Sequence, residues 1–89
     1  MENQRLATAV LAALGGADNV AALRYCASRV RLKLHDNTQI DRQLIEQQPP
    51  VRALLEVTLS PQLTEFQLVM GPGQSRPLYQ ALVERVGEK

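Results

Sequence analysis

The sequence predicts an α+β fold, in which four strands form a mainly antiparallel sheet with helices packed on one of its faces. Two observations carry this prediction. Predicted helices near residues 3–14, 42–47 and 74–87 enclose two pairs of predicted strands, and apolar and polar residues alternate in the clearest of these strands. Paired strands separated by helices are typical of antiparallel sheets in α+β domains. The predicted element order is α-β-β-α-β-β-α, a sandwich of one sheet and one helical layer.

The first helix is predicted from a four-residue spacing of apolar side chains. Leu6, Val10 and Leu14 lie on one stripe, as expected for an amphipathic helix over residues 3–14. Gly15-Gly16 follows and is expected to end the helix, since glycine readily takes the left-handed geometry found at helix C-termini.

The next two strands enclose the only cysteine of the chain. Val20 to Tyr25 is predicted to be a short strand leading into Cys26. From Ser28 to His35 apolar and basic side chains alternate strictly, and Arg29 and Arg31 share the basic parity. Successive side chains of a strand point to opposite faces, so this strand is expected to be half-buried with a basic outer face.

The second half of the chain again places one helix before two strands. Asp41 is expected to cap a short helix through residues 42–47, which Pro49-Pro50 ends. Strands are predicted over residues 51–59 and 65–70, joined by a hairpin turn.

Apolar rows mark the last three elements, and Gly71-Pro72-Gly73 separates the fourth strand from a final helix over residues 74–87. The glycines and proline break the strand because they favour turns. The rows are Leu55, Val57 and Leu59 in the third strand, Phe66, Leu68 and Met70 in the fourth, and Leu78, Leu82 and Val86 in the helix.

Length and composition indicate a single small domain over residues 1–89. Hydrophobic residues make up 45% of the chain and aromatic residues 3%, so the core is expected to be aliphatic. The formal net charge of +1 gives no global reason to expect binding to nucleic acid. No apolar run approaches the roughly 18 residues that span a bilayer, so no direct membrane insertion is expected.

Cysteine usage argues against a disulfide-bonded secreted protein, and residue spacing argues against a metal-binding protein. A single cysteine forms no internal disulfide, and without a secretory signal peptide the expected location is the reducing cytoplasm. No cluster of His, Cys and carboxylate residues has metal-ligand spacing, so neither a metal nor another cofactor is expected. His35, the only histidine, is expected to be a surface residue.

Positive charge is concentrated around Cys26. The segment Leu23 to Lys33 holds four of the chain's ten Lys and Arg residues, and no Asp or Glu occurs between Asp18 and Asp36. Nearby guanidinium groups favour the thiolate form of a cysteine and bind phosphate. The segment therefore indicates a reactive thiolate or a phosphate site, rather than the buried, unreactive group that a lone cysteine usually represents.

The motif around Cys26 resembles that of the IIB domain of the glucose-type sugar phosphotransferase system. In those domains a phosphorylated cysteine lies in the pattern Asp-x-Cys-x-Thr-Arg-Leu-Arg, where this chain has Arg24-Tyr25-Cys26-Ala27-Ser28-Arg29-Val30-Arg31. Further similarities are Gly15-Gly16 after the first helix, Ile40-Asp41 before the middle helix and Gly71-Pro72 before the last helix. The resemblance extends over residues 6–87.

The resemblance implies a phosphocarrier with a phosphocysteine intermediate. Cys26 would accept a phosphoryl group from a phosphohistidine on a IIA protein and pass it to a sugar held by a membrane IIC domain. Arg29 and Arg31 would stabilise charge and dock the phosphohistidine protein, with Ser28 and Arg24 as further phosphate-binding candidates. A IIC partner would hold the cytoplasmic domain at the inner membrane.

Arg24 and Tyr25 depart from the family pattern, which has Asp and commonly a smaller residue at these positions. Positive charge at Arg24 is expected to stabilise phosphocysteine and so make it a poorer donor to sugar. These departures keep a second interpretation open, a IIB-like regulatory module that signals its phosphorylation state to a transporter or a transcriptional regulator. In a third interpretation the chain is a small α+β interaction domain with an inert Cys26.

Overall fold

The computed structural model describes residues 2–87 and confirms the predicted order of helices and strands. The helices are α1 (Glu2–Ala13), α2 (Arg42–Glu46) and α3 (Ser75–Val86). The strands are β1 (Val20–Cys26), β2 (Arg29–Leu34), β3 (Val51–Ser60) and β4 (Leu63–Met70). Single 3-10 turns at Ala17–Asn19 and Asn37–Gln39 precede β1 and α2. The predicted boundaries differ from these by a few residues, the fourth strand beginning at Leu63 rather than Glu65.

The four strands form one antiparallel sheet in the order β1-β2-β4-β3. In the middle of the sheet, Val30 of β2 pairs with Tyr25 of β1 and with Leu68 of β4. The helices pack on one side of the sheet, which we call the helix face. The opposite side, the open face, is not covered by any other element within residues 2–87. This confirms the predicted α+β architecture.

The core lies between the helices and the helix face of the sheet, and it is aliphatic apart from Phe66. Alternate residues of β2 and β4 enter it, as the strict alternation in the sequence predicts. The buried side chains include Val30, Leu32, Leu34, Phe66, Leu68 and Met70 from these strands and Leu6, Val10, Leu14, Leu78 and Leu82 from the helices.

The apolar row of β3 lies on the open face and not in the core. Directly paired residues of neighbouring strands share a face of the sheet, and Leu55 pairs with Gln67 whereas Leu54 pairs with Leu68. Leu55 is accordingly 37% exposed, and Leu59, which lies where the register shifts between Thr58 and Ser60, is 50% exposed. Because β3 is an edge strand with leucines on both parities, its sequence does not identify its buried side.

Two polar side chains, Asn19 and Asp41, fix the connections at the end of the sheet remote from Cys26. Asn19 donates to the carbonyl of Asp36 at 3.0 Å and accepts from the backbone N–H of Asp36 at 2.8 Å. Asp41 caps α2 as predicted, accepting from the N–H of Leu44 at 3.1 Å, and its own N–H donates to the carbonyl of Ala13 at 2.6 Å. These bonds join the residue before β1 to the beginning of the β2-α2 connection, and the end of α1 to its end.

The assignment of faces predicts that truncation of two leucines lowers the free energy of unfolding by very different amounts. Leu68→Ala should lower the free energy of unfolding by about 2–5 kcal/mol, because this side chain is fully buried in the core. The matched change Leu59→Ala, at an exposed position of β3 outside the core, should cost about 0.5 kcal/mol or less. Urea denaturation measures both, and comparable losses would contradict the assignment.

Candidate functional site

Cys26 is the last residue of β1 and begins the tight turn into β2. It pairs with Arg29 across the hairpin, and Ala27-Ser28 make the turn itself. We call Cys26, Ala27 and Ser28 the cysteine loop. The thiol of Cys26 is exposed, so a reactant can reach it from solvent.

Strand register places three arginines on the same face of the sheet as Cys26. Arg29 is directly opposite Cys26, and Arg24 is directly opposite Arg31. Directly opposite Cβ atoms are about 5 Å apart and diagonal neighbours about 7–8 Å, which is within reach of long side chains. Arg29 is therefore the nearest of these cations by register, and Arg31 lies on the diagonal. Arg24 donates to the carbonyl of Leu23 at 2.7 Å.

An open depression of about 290 Å³ lies at this end of the open face. It brings together four of the residues that the sequence indicates for the site, Cys26, Ser28, Arg29 and Arg31. Arg24 lies on the same face of the sheet but does not line the depression. The full lining is Cys26, Ala27, Ser28, Arg29, Arg31 and Gln67.

Two buried polar residues of β4 hold the arginines in place. Glu65 accepts from Nε of Arg31 at 2.9 Å and from Nη2 of Arg31 at 3.3 Å. Gln67 accepts from Nη1 of Arg29 at 2.8 Å, and its amide nitrogen donates to Oε1 of Glu65 at 2.8 Å. The four side chains thus form one hydrogen-bonded network across β2 and β4.

Sequence reasoning missed both Glu65 and Gln67, although a signal for them exists. They alternate with Phe66 and Leu68, so they occupy the polar parity of a half-buried strand. That parity alone does not show which strand lies beside β4. Only the observed pairing of Arg31 with Gln67 brings them beneath the arginines.

The ion pair makes the two arginines electrostatically different. Hydrogen bonding to Glu65 and the charge of Glu65 raise the pKa of Arg31, and the charge of Cys26 acts in the same direction. Burial disfavours the ionised form of Glu65, but hydrogen bonds from Arg31 and Gln67 bring its pKa below the ordinary value. Both groups are ionised near neutral pH. The charge of Arg31 is therefore compensated by a carboxylate, whereas Arg29 has a neutral amide partner.

Ser75 anchors the cysteine loop from the side of α3. This residue begins α3 and is 2% exposed, and its hydroxyl lies 2.7 Å from the carbonyl oxygen of Cys26 and 3.0 Å from that of Ala27. The carbonyl of Ser28 accepts from the N–H of Met70 at 2.6 Å. The carbonyls of Cys26 and Ala27 share the single hydroxyl hydrogen of Ser75, and the carbonyl of Ser28 is bonded to β4. The sequence gives no specific signal for this role, since a serine at a helix start indicates only a cap.

Two other residues singled out in the sequence lie away from the depression. Tyr25 pairs with Val30 and therefore faces the helix side, where its ring centroid lies 4.7 Å from that of Tyr79 on α3. His35 follows the far end of β2 and is exposed, as predicted.

The chemistry available at the depression is that of an exposed thiol beside guanidinium groups. A thiolate is a strong nucleophile, and the planar guanidinium group binds phosphate oxygens through two parallel hydrogen bonds. In the part of the chain that the structure describes, no group of three or more His, Cys, Asp or Glu residues is placed to hold a metal ion. No helix within residues 2–87 is long and apolar enough to cross a membrane.

Comparison with known proteins connects this site to one family. A family model described as phosphotransferase system, EIIB matches residues 8–41, which include β1, β2 and the cysteine loop. The chain is 38% identical over 74 residues to the PTS system N-acetylmuramic acid-specific EIIBC component of Photorhabdus laumondii. It is 33% identical over 89 residues to the PTS system sucrose-specific EIIBCA component of Pediococcus pentosaceus. The two alignments cover 83% and 100% of this chain.

These relatives are much longer than the chain, which spans 14% of the first and 13% of the second. Among solved structures, the fold matches the crystal structure of one domain of the PTS system IIabc component from Clostridium difficile, with a TM-score of 0.82 and 23% sequence identity. That match covers 99% of this chain and 85% of the other. It shows that the two share a fold.

Removal of the Ser75 hydroxyl should loosen the cysteine loop. Ser75→Ala is expected to lower the free energy of unfolding by about 1 kcal/mol, since one buried hydrogen bond is lost. Amide hydrogen exchange at Ala27 and Ser28 should become faster, which NMR measures directly. The control Ser60→Ala, at the exposed end of β3, removes an acceptor of the Gln62 N–H but lies far from the cysteine loop, so it should leave exchange at Ala27 and Ser28 unchanged. Unaltered exchange in the cysteine loop of Ser75→Ala would refute the anchoring role.

Proposed function

The chain belongs to the EIIB family of the phosphotransferase system, and from that membership we propose that it is a phosphocarrier whose phosphorylated residue is Cys26. The observation that carries the proposal is the grouping of the exposed Cys26 with Arg29 and Arg31 around one depression. A phosphocarrier needs a nucleophile that two macromolecular partners can reach in turn. An exposed residue at the end of a hairpin meets that need.

In the first proposed step, Cys26 takes a phosphoryl group from a phosphohistidine on a IIA protein. The thiolate attacks phosphorus, the S–P bond forms as the N–P bond breaks, and the electron pair of the N–P bond remains on the imidazole nitrogen. Phosphoryl transfer is accelerated mainly by alignment and charge stabilisation. Arg29, directly opposite Cys26, is the group best placed to bind the phosphoryl oxygens, and Ser28 lines the same depression.

In the second proposed step, the phosphoryl group passes to a hydroxyl of a sugar held by a membrane IIC domain. The S–P bond breaks, its electron pair leaves with sulfur as the thiolate, and a P–O bond forms. The proton of the sugar hydroxyl goes to a base of the sugar-binding domain. The names of the similar proteins, EIIBC and EIIBCA components, support IIC and IIA proteins as the partners of this domain.

One observation favours a second function, a regulatory module that retains its phosphate. Arg24 is two residues before Cys26 and lies on the same face of the sheet. The family pattern has an aspartate at this sequence position. It adds positive charge on the side of the phosphoryl group and so favours phosphocysteine over free thiol. In this alternative the phosphorylated domain is read by a transporter or a transcriptional regulator, and it transfers nothing to sugar.

Phosphorylation of Cys26 is testable by intact-mass spectrometry. Incubation with phosphoenolpyruvate, the general phosphotransferase proteins and a glucose-type IIA protein should add one phosphate to the chain. Cys26→Ser should gain none, and omission of the IIA protein should abolish the gain in the wild type. A phosphate that persists in Cys26→Ser, or no gain with any IIA protein, would rule out the proposed carrier function.

The effect of Arg24 is testable through the lifetime of the phosphocysteine. Arg24→Asp should shorten its half-life by about threefold, because a favourable surface charge interaction is replaced by a repulsive one. Lys33→Asp makes the same charge reversal on the same face but farther from Cys26, and it should have a smaller effect. An equal or longer half-life in Arg24→Asp would exclude this role of Arg24.

A further inference from the structure

Arg29 and Arg31 line the same depression, but they are held by partners of different charge. Arg31 directs both Nε and Nη2 to the carboxylate of Glu65, at 2.9 Å and 3.3 Å. The side chain of Arg29 donates from Nη1 to the neutral amide of Gln67 at 2.8 Å. A phosphoryl group on Cys26 therefore meets one arginine with its charge available and one with its charge already compensated.

Glu65 is held firmly in the position that binds Arg31. It is 5% exposed, and its Oε1 accepts from Gln67 at 2.8 Å as well as from Arg31. A carboxylate in this position would lose its bonds to both donors if it rotated out to solvent. Glu65 consequently ties the Arg31 guanidinium to β4, and the phosphoryl group must compete with a pre-formed, charge-assisted pair.

We propose that Glu65 is a positioning residue that withholds Arg31 from the phosphoryl group of Cys26 and leaves Arg29 as its main cation. This inference rests on the proposed phosphocarrier function and concerns how tightly that carrier holds its phosphate. A phosphoryl group bound by two fully available guanidinium groups is a poor donor, because binding of the ground state raises the barrier to onward transfer. Glu65 weakens that binding and keeps the group transferable.

The chain contains a matched control for this role. Glu56 pairs with Arg42 on the helix side of the sheet, and Arg42 also lies 5.7 Å from the centre of the Phe66 ring. This second Glu-Arg pair joins α2 to β3, its carboxylate is more exposed than that of Glu65, and neither residue lines the depression. Its loss tests what the removal of any ion pair does to the fold.

The test compares phosphocysteine half-lives in Glu65→Gln and Glu56→Gln. Each variant is phosphorylated with phosphoenolpyruvate, the general phosphotransferase proteins and a glucose-type IIA protein, the donor proteins are removed, and intact mass is followed. Glutamine keeps the shape of glutamate and its acceptor oxygen. Glu65→Gln should lengthen the half-life by about tenfold, since Arg31 gains a charge-assisted hydrogen bond to phosphate. Glu56→Gln should leave it unchanged.

If Glu65 acts by positioning Arg31, the effect of Glu65→Gln on the half-life should depend on Arg31. A general effect on the fold would not depend on Arg31. In an Arg31→Gln background, the lengthening caused by Glu65→Gln should shrink to about twofold or less, because only screened repulsion from the carboxylate remains. Arg29→Gln should also shorten the half-life more than Arg31→Gln does, a comparison that keeps Glu65 intact.

Four outcomes would overturn the proposal. A wild-type half-life in Glu65→Gln, or equal effects of Arg29→Gln and Arg31→Gln, refutes it while phosphorylation of Cys26 stands. A tenfold lengthening that persists without Arg31 refutes it in the same way. Absence of phosphate on wild-type Cys26 removes the proposed function and this inference together.

Discussion

Burial of one face of the sheet determines what the other face presents. Val30, Leu32 and Leu68 enter the core from the two central strands. A slip of one residue in either strand would bring charged or polar side chains into that core, so the register is strongly specified. Cys26 and Arg29 are opposite each other for this reason. The geometry of the site is thus a consequence of aliphatic packing on the far side of the sheet.

Residues whose role depends on local pattern were predictable from the sequence. Periodicity located α1 and β2, Asp41 signalled a cap, and the cationic segment marked Cys26. The row beginning at Leu55 was misleading as a guide to burial, since an edge strand only partly covered by the short α2 carries leucines on both sides. Glu65 and Ser75 were not predictable, because each meets its partner across a contact that local pattern does not encode. The pairing of β2 with β4 and the docking of α3 decide those contacts.

The two departures from the family motif have unlike physical meanings. Tyr25 faces the helices, where its ring packs against Tyr79, and it is therefore part of the contact between β1 and α3. Arg24 faces the other way and shares the surface of Cys26. Because side chains alternate along β1, Tyr25 contributes to packing, whereas Arg24 contributes to the charge around Cys26.

The contact between Tyr25 and Tyr79 also gives the molecule an optical reporter of its own. The chain has no tryptophan and only these two tyrosines, so fluorescence excited at wavelengths that Phe66 does not absorb arises entirely from one ring pair. That pair joins α3 to the strand residue immediately before Cys26. Any event that shifts the cysteine loop relative to α3 changes the environment of both fluorophores at once, without a label and without a competing signal from elsewhere in the domain.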